Sequence, residues 1–322
     1  MAFGSSRHSN ILAAMPAFLV LLSLLALLPA GCSSPFSRPT KKFNELLSQY
    51  PRTEEPLQVQ LLTAGSAESA ARSRPGGPLT VIVHPAYALF FRDAGRSFYT
   101  EAKYDLLRYQ LEHEEQFISE IAKSGNLLIL VLPGNYERDS VAPHSYTRYL
   151  NSVTGGSPSV YAVYSEASSS GALPLGTVVM LHGFLRSVKP SSVLVGGGFI
   201  GRCQREFYNQ VINYVGESSA YIVPEISTIS PDDISDSDAR TMLDSILRRD
   251  YGPVDRFIDK RNQGRARITL LPGELDRRAA RASGASGETV RDEGPAPLTG
   301  PAREQGSVPE ADPGREKESP VH

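Results

Sequence analysis

The stretch that decides the fold is LTVIV at residues 79–83, an apolar and largely β-branched run that ends at His84. Such a run, stopped by a turn signal, predicts a strand buried on both faces. Apolar residues then recur at helical spacing over residues 100–123, and Gly125 follows as a stop signal, which predicts an amphipathic helix. A second apolar run predicts another buried strand over residues 127–132. Strand, helix and strand in this order form a parallel crossover unit and indicate an α/β domain.

The chain beyond this unit predicts further elements of the same domain. Strands are predicted at residues 160–164, 178–181, 192–195, 221–223 and 268–271, with a helix over residues 204–215. Turn residues between the first two of these strands predict an antiparallel hairpin. We therefore expect a single three-layer α/β domain with a mixed, partly parallel sheet.

Composition divides the 322 residues into four predicted parts. These are a signal peptide (1–31), a flexible lipid-anchored tether (32–77), the α/β domain (78–273) and a disordered tail (274–322). The tether is predicted because its ends are small, polar and rich in proline. The tail is predicted because it has no aromatic residue from 276 onward and cannot bury enough apolar surface to offset its chain entropy.

Charge and cysteine usage exclude several classes of protein. Lys and Arg number 33 against 35 Asp and Glu, so there is no basic surplus and no nucleic-acid partner is expected. Two cysteines cannot form a disulfide scaffold or a cysteine-rich metal site. We expect no metal and no cofactor.

The amino-terminal sequence predicts an export signal. An apolar run at residues 11–28 follows Arg7 and precedes the small pair Ala30-Gly31 and then Cys32. This arrangement resembles the lipobox of bacterial lipoproteins, which implies cleavage before Cys32 and acylation of that residue. Ser33 after the cysteine resembles an outer-membrane destination, with the domain facing the periplasm. An uncleaved membrane anchor and an ordinary signal peptide are the alternatives.

A glycine run lies between a predicted strand and a predicted helix. Gly196, Gly198 and Gly201 satisfy G-x-G-x-x-G, which resembles the nucleotide-binding turn of Rossmann proteins. With Arg202 beside it, the turn is a candidate anion site. The favoured alternative is a tight strand-to-helix turn in which glycine relieves backbone strain.

Cys203 lies at the start of the following helix, next to Arg202. Positive charge and a helix amino terminus both stabilise a thiolate. A cysteine at such a turn loosely resembles isochorismatase-like cysteine hydrolases, which implies an aspartate at the end of the first strand and a supporting lysine. Here the first strand ends in His84, and Lys189 is a loose candidate for the lysine. A buried structural cysteine is the favoured interpretation.

Two histidines, His84 and His182, each follow an apolar run that predicts a strand. Ligands bind beyond the carboxyl ends of strands in open α/β sheets, so if the two strands are parallel neighbours, both imidazoles line one crevice with Tyr87, Asn135 and Glu225. The favoured alternative is that local hydrogen bonds satisfy both histidines. The run before His182 is similar to the oxyanion-loop strand of α/β-hydrolases, but no G-x-S-x-G motif accompanies it.

The leading functional hypothesis is an exported lipoprotein that is attached to the membrane by its lipid. It presents the domain at the cell envelope for binding of a small molecule or an envelope protein. The alternative is an envelope hydrolase that uses Cys203 or the strand-end pair His84 and His182. A third hypothesis is a component of an envelope assembly. Exposure of Cys203 beside either histidine would favour the enzyme, and aliphatic packing of its thiol would count against it.

Overall fold

The computed structural model describes residues 55–73, 76–90, 99–134 and 143–271. Six strands form one sheet in this described part, in the order β1-β4-β3-β2-β5-β6, and every neighbouring pair is parallel. The strands are β1 (Gln60–Leu61), β2 (Leu79–Val83), β3 (Leu128–Leu132), β4 (Val160–Tyr164), β5 (Val193–Gly198) and β6 (Ala220–Thr228).

Helices connect the strands and cover both faces of the sheet. They are α1 (Ser66–Ser73), α2 (Tyr87–Phe90), α3 (Glu101–Ser124), α4 (Pro143–Thr154), α5 (Leu175–Val188), α6 (Cys203–Val215), α7 (Asp236–Leu247) and α8 (Gly252–Arg261), with 3-10 turns at Glu217–Ser219 and Pro231–Asp233. The predicted helix and strands of the opening crossover unit are confirmed as α3, β2 and β3.

The core lies on both sides of the sheet because side chains alternate along each strand. Val81 and Val83 join a buried cluster with α5 and α6, whereas Ile82 joins a second cluster with α3 and α4. This is the three-layer α/β architecture that the sequence predicts, with strands that read as continuous apolar runs because helices bury both faces.

The expected mixed sheet is wrong, because residues 178–181 belong to helix α5 rather than to a strand. The apolar run there supplies Val178, Leu181 and Leu185 to the core at helical spacing, while Val179 is 63% exposed. Without that strand the predicted antiparallel hairpin does not form. Residues 268–271 are also not a strand in the structure, since only Ile268 bridges to β6.

The amino-terminal edge of the sheet is built from residues before 78. Gln60 and Leu61 pair with β4, and the Leu62 amide donates to Ala162 O at 2.9 Å. The Asn151 side chain accepts a hydrogen bond from Gln58 N at 2.8 Å and donates one to Pro56 O at 2.9 Å. Part of the segment expected to be a tether therefore belongs to the sheet.

Several predicted features lie outside the described residues: the signal peptide, Cys32, Asn135 and the tail 274–322. Of the two units into which the chain divides, the second, Pro272–His322, lies wholly outside the described part. Within the described ranges, no helix is long and apolar enough to cross a membrane.

Candidate functional site

His84 lies just beyond the carboxyl end of β2, between the ends of β3 and β5. Its Nε2 is 3.0 Å from the hydroxyl of Ser165, which directly follows β4. That hydroxyl donates to Ala167 O at 2.8 Å and accepts from the Gly134 amide at 3.1 Å. Because the hydroxyl has a single hydrogen and gives it to Ala167, the imidazole must be the donor, so Nε2 carries its proton and Nδ1 its lone pair.

The imidazole of His84 is neutral. The side chain is buried, and loss of hydration lowers its pKa from 6.5 to about 3. His84 and Ala86 both have a positive φ, of 50° and 53°, in the left-handed region that side chains other than glycine seldom adopt. Non-glycine residues held in this region cluster at functional sites, which makes the loop after β2 a candidate for one.

A buried carboxyl group on α3 holds this strained loop in place. Glu114 Oε1 accepts a hydrogen bond from the Ala86 amide at 2.8 Å. Burial raises the pKa of Glu114 from 4.5 to about 8, although the Ala86 hydrogen bond opposes the shift. Glu114 is therefore mostly protonated at neutral pH. Glu114 is not among the predicted site residues, although an acidic residue among the core positions of an amphipathic helix is a usable signal.

Cys203 is the first residue of α6, just beyond the carboxyl end of β5. It is 5% exposed, belongs to the buried cluster of α5 and α6, and its Sγ donates to Ser169 O at 3.4 Å. Burial raises its pKa from 9.0 to about 11, Glu206 adds to the increase, and Arg202 opposes it more weakly. The positive charge and helix amino terminus noted in the sequence would stabilise a thiolate, but desolvation outweighs the neighbouring guanidinium.

The thiol is covered by residues 166–173, which we call the covering loop. Glu206 Oε2 accepts from the Ser170 hydroxyl at 2.8 Å and from the Gly171 amide at 2.9 Å. Gln210 Oε1 accepts from the Leu173 amide at 2.8 Å. A Cβ on Gly171 would lie 1.9 Å from Cys203 O, so only glycine permits this close approach. Two side chains of α6 thus fasten the loop over the amino terminus of their own helix.

The glycine run has a packing role in this structure. Gly196 and Gly198 belong to β5, and a Cβ on Gly196 would lie 2.6 Å from Ile226 O. Gly201 has φ 74°, and a Cβ there would lie 2.5 Å from Arg261 Cβ. These close approaches match the tight-turn interpretation of the sequence.

Arg202, the cation proposed for the anion site, is engaged with a carboxylate. Its Nε and Nη2 each donate to Asp233 at 2.8 Å, in a bidentate pair. Arg261 also contacts Asp233, with Nη2 3.3 Å from Oδ1. The geometry at this turn is therefore that of an ion-pair network.

His182 is not at a strand end, so the predicted pairing of two strand-end histidines is wrong. It lies half-buried on α5, with its ring 5.1 Å from that of Tyr214 on α6. Lys189 ends α5 directly ahead of β5, at the edge of the sheet opposite Cys203. Glu225 accepts from the Leu271 amide at 2.8 Å, and the side chain of Tyr87 is outside the described part.

The site at the carboxyl edge of the sheet thus contains His84, Ser165 and Cys203, with Glu114 supporting the loop after β2. Ser165 is not among the predicted site residues, although a hydroxyl residue directly after a predicted strand is a usable signal. Within the described ranges, no group of three or more His, Cys, Asp or Glu side chains is arranged to hold a metal ion.

No family model matches the chain, and no curated protein matches it. Among solved structures, the chain is similar to a nicotinamidase from Staphylococcus aureus, with 13% identity, a TM-score of 0.37, and 52% of this chain and 94% of that one covered. It is also similar to a pyrazinamidase/nicotinamidase from Streptococcus mutans, with 9% identity, a TM-score of 0.36, and coverage of 61% and 100%. A cysteine hydrolase from Pseudomonas syringae matches with 14% identity, a TM-score of 0.30, and coverage of 71% and 100%.

At these identities the matches describe a similar arrangement of strands and helices. The leading functional hypothesis, a lipoprotein domain that binds a ligand or partner, does not agree with the names of these structures, which are nicotinamidase, pyrazinamidase/nicotinamidase and cysteine hydrolase, and it is not retained. The alternative hypothesis of a hydrolase agrees better with them.

Proposed function

We propose that the domain is a hydrolase in which the thiol of Cys203 attacks the carbonyl carbon of an ester or amide. One observation carries this proposal: Cys203 begins the helix that follows β5, at the edge of the sheet where His84 follows the neighbouring strand β2. Ligands of parallel α/β sheets bind at this edge, and a helix amino terminus there favours negative charge.

The reaction needs a base, because the resting thiol keeps its proton. His84 is the basic group that the topology brings to this edge, through the lone pair of Nδ1. In the acylation step the sulfur forms a thioester bond to the carbonyl carbon, and the thiol proton passes by way of the base to the departing alcohol or amine. Water then hydrolyses the thioester, which releases the acid and restores the thiol.

Burial lowers the pKa of His84, so its imidazole is a weak base while the covering loop is in the position described here. Movement of the covering loop would admit both water and substrate. Water would restore hydration to the imidazole and the thiol, so the pKa of His84 would rise and that of Cys203 would fall. Substrate-dependent loop movement is therefore a part of the proposal.

Substrate turnover by a variant in which Cys203 is the sole cysteine tests this function. The full chain carrying Cys32→Ser is supplied with p-nitrophenyl esters, and with nicotinamide and pyrazinamide, because matched structures are named for those activities. We expect turnover of at least one substrate, and an acyl adduct on the peptide that contains Cys203 by mass spectrometry.

Two variants separate a nucleophile from a structural cysteine. Cys203→Ala and Cys203→Ser both keep the volume of the site close to native, and we expect each to lower turnover by roughly 10²-fold or more while leaving the circular dichroism spectrum unchanged. Equal turnover by Cys203→Ala would assign the sulfur a packing role. Absence of any adduct after hours with an activated ester would do the same.

A further inference from the structure

A groove of about 330 Å³ lies between α7 and α8, apart from the carboxyl-edge site. Its lining includes Asp238 and Met242 from α7, and Arg256, Phe257 and Lys260 from α8. The volume is within the lower range for sites that hold small organic molecules.

The lower part of the groove is apolar. Met242 is 9% exposed and Ile234 is 7% exposed, and both belong to the core cluster. Phe257 is half-buried, and the Arg261 guanidinium lies 5.2 Å from the centre of its ring. The cation–π contact fixes the orientation of the Phe257 ring. An aromatic or branched part of a ligand could pack against this ring.

The lining carries three cations, Arg256, Lys260 and Arg261, against two carboxylates, Asp233 and Asp238, so positive charge is in excess. Arg256 and Lys260 are four residues apart on α8, so two like charges face the same side of the helix, an arrangement that costs stability. Among the described residues, neither side chain takes part in an ion pair or a hydrogen bond. Arg261 differs, since its guanidinium is already used by Asp233.

We infer that this groove binds a small organic anion with a compact apolar body, such as an aromatic carboxylate. The anion lies between Arg256 and Lys260, with the guanidinium donating to two oxygens at once, and the ring packs on Phe257 and Met242. Two neighbouring cations that lack an ion-pair partner in the described part lie beside an apolar surface, and a ligand of this kind would contact both. The inference does not depend on the proposed hydrolase function.

Binding of matched aromatic probes tests the inference. The full-length protein is titrated by calorimetry at low ionic strength with benzoate and with phenyl phosphate, and benzamide serves as the neutral match for benzoate. We expect saturable binding of at least one anion and at least about tenfold weaker binding of benzamide, since a charge-assisted contact is lost. Equal binding of charged and neutral probes, or no saturable binding of either anion, would overturn the inference.

Charge variants locate the site. Arg256→Gln and Lys260→Gln are each expected to weaken anion binding about tenfold, whereas Asp238→Asn should strengthen it because it removes a negative charge from the lining. The matched controls are Arg186→Gln and Lys123→Gln, which remove one exposed charge each outside the groove. If the controls weaken binding as much as the groove variants do, the effect is that of net charge alone and the site is disproved.

Discussion

Folding shifts the pKa values of two buried side chains in opposite directions, because it lowers the pKa of His84 and raises that of Glu114. His84 is neutral in the folded state down to about pH 3, whereas an unfolded histidine takes up a proton near pH 6.5. Glu114 keeps its proton up to about pH 8, whereas an unfolded glutamate loses it near pH 4.5. Each group therefore couples the free energy of unfolding to pH, and with opposite sign.

We expect the combined contribution of His84 and Glu114 to the free energy of unfolding to be constant between about pH 4.5 and 6.5, because their opposite pH dependences cancel there. The contribution decreases below and above this range. Below this window the histidine contribution falls as the unfolded state binds more protons. Above it the glutamate contribution falls until about pH 8, because the folded state then binds more protons. The limiting slope for one group is about 1.4 kcal/mol per pH unit.

Urea unfolding across this pH range, with His84→Asn and Glu114→Gln, measures the two contributions. His84→Asn should flatten the acid side relative to the native chain, and Glu114→Gln, which keeps an acceptor for the Ala86 amide, should flatten the alkaline side. Parallel curves for the native chain and Glu114→Gln would mean that the buried carboxyl group is ionised.

Gly171 gives a second prediction that belongs to a single residue. Gly171→Ala places a Cβ 1.9 Å from Cys203 O, so the covering loop must move away, at a cost of about 1–3 kcal/mol in the free energy of unfolding. Gly183→Ala is the matched control, because its Cβ meets no atom within 4 Å and lies inside α5. That change should stabilise the domain by up to about 1 kcal/mol through helix propensity.

At the scale of elements, we expect the covering loop to control access to Cys203. Glu206 fastens this loop through Ser170 and Gly171, so Glu206→Ala should free it and also remove a negative charge near the thiol. In the Cys32→Ser background we expect iodoacetamide to alkylate Cys203 at least about tenfold faster in this variant, since opening exposes the thiol and lowers its pKa. Glu217→Ala, also on the surface but away from the loop anchors, is the comparison. Equal alkylation rates would show that the loop does not limit access.

The elements show where sequence reasoning succeeds and where it fails. The strands at β2, β3 and β4 were predictable because a parallel sheet covered on both faces requires continuous apolar runs. Helix α5 was misassigned because its short apolar run, VVML, fits a buried strand equally well when read alone. For the site, the positions of His84 and Cys203 beside their strands were predictable from the sequence. Their burial, which sets both pKa values, was not, because it depends on the covering loop and on helices distant in sequence.

At the scale of the whole molecule, lipid attachment at Cys32 stays a prediction. Metabolic labelling with a fatty-acid probe should mark the native chain, and Cys32→Ser should abolish the label because the acylated thiol is gone. Cys203→Ser is the matched control and should keep the label. Equal labelling of native and Cys32→Ser protein would contradict the lipobox interpretation.

Strand β1 has a mechanical consequence for a chain held at its amino end. Only two residues of β1 pair with β4, and Asn151 fixes the preceding backbone at Gln58 and Pro56. A pulling force on residue 55 would break these few hydrogen bonds one after another. The longer pairing of β4 with β3 would bear the force only after that. The outermost strand would then act as a weak link that gives way under tension and spares the sheet behind it.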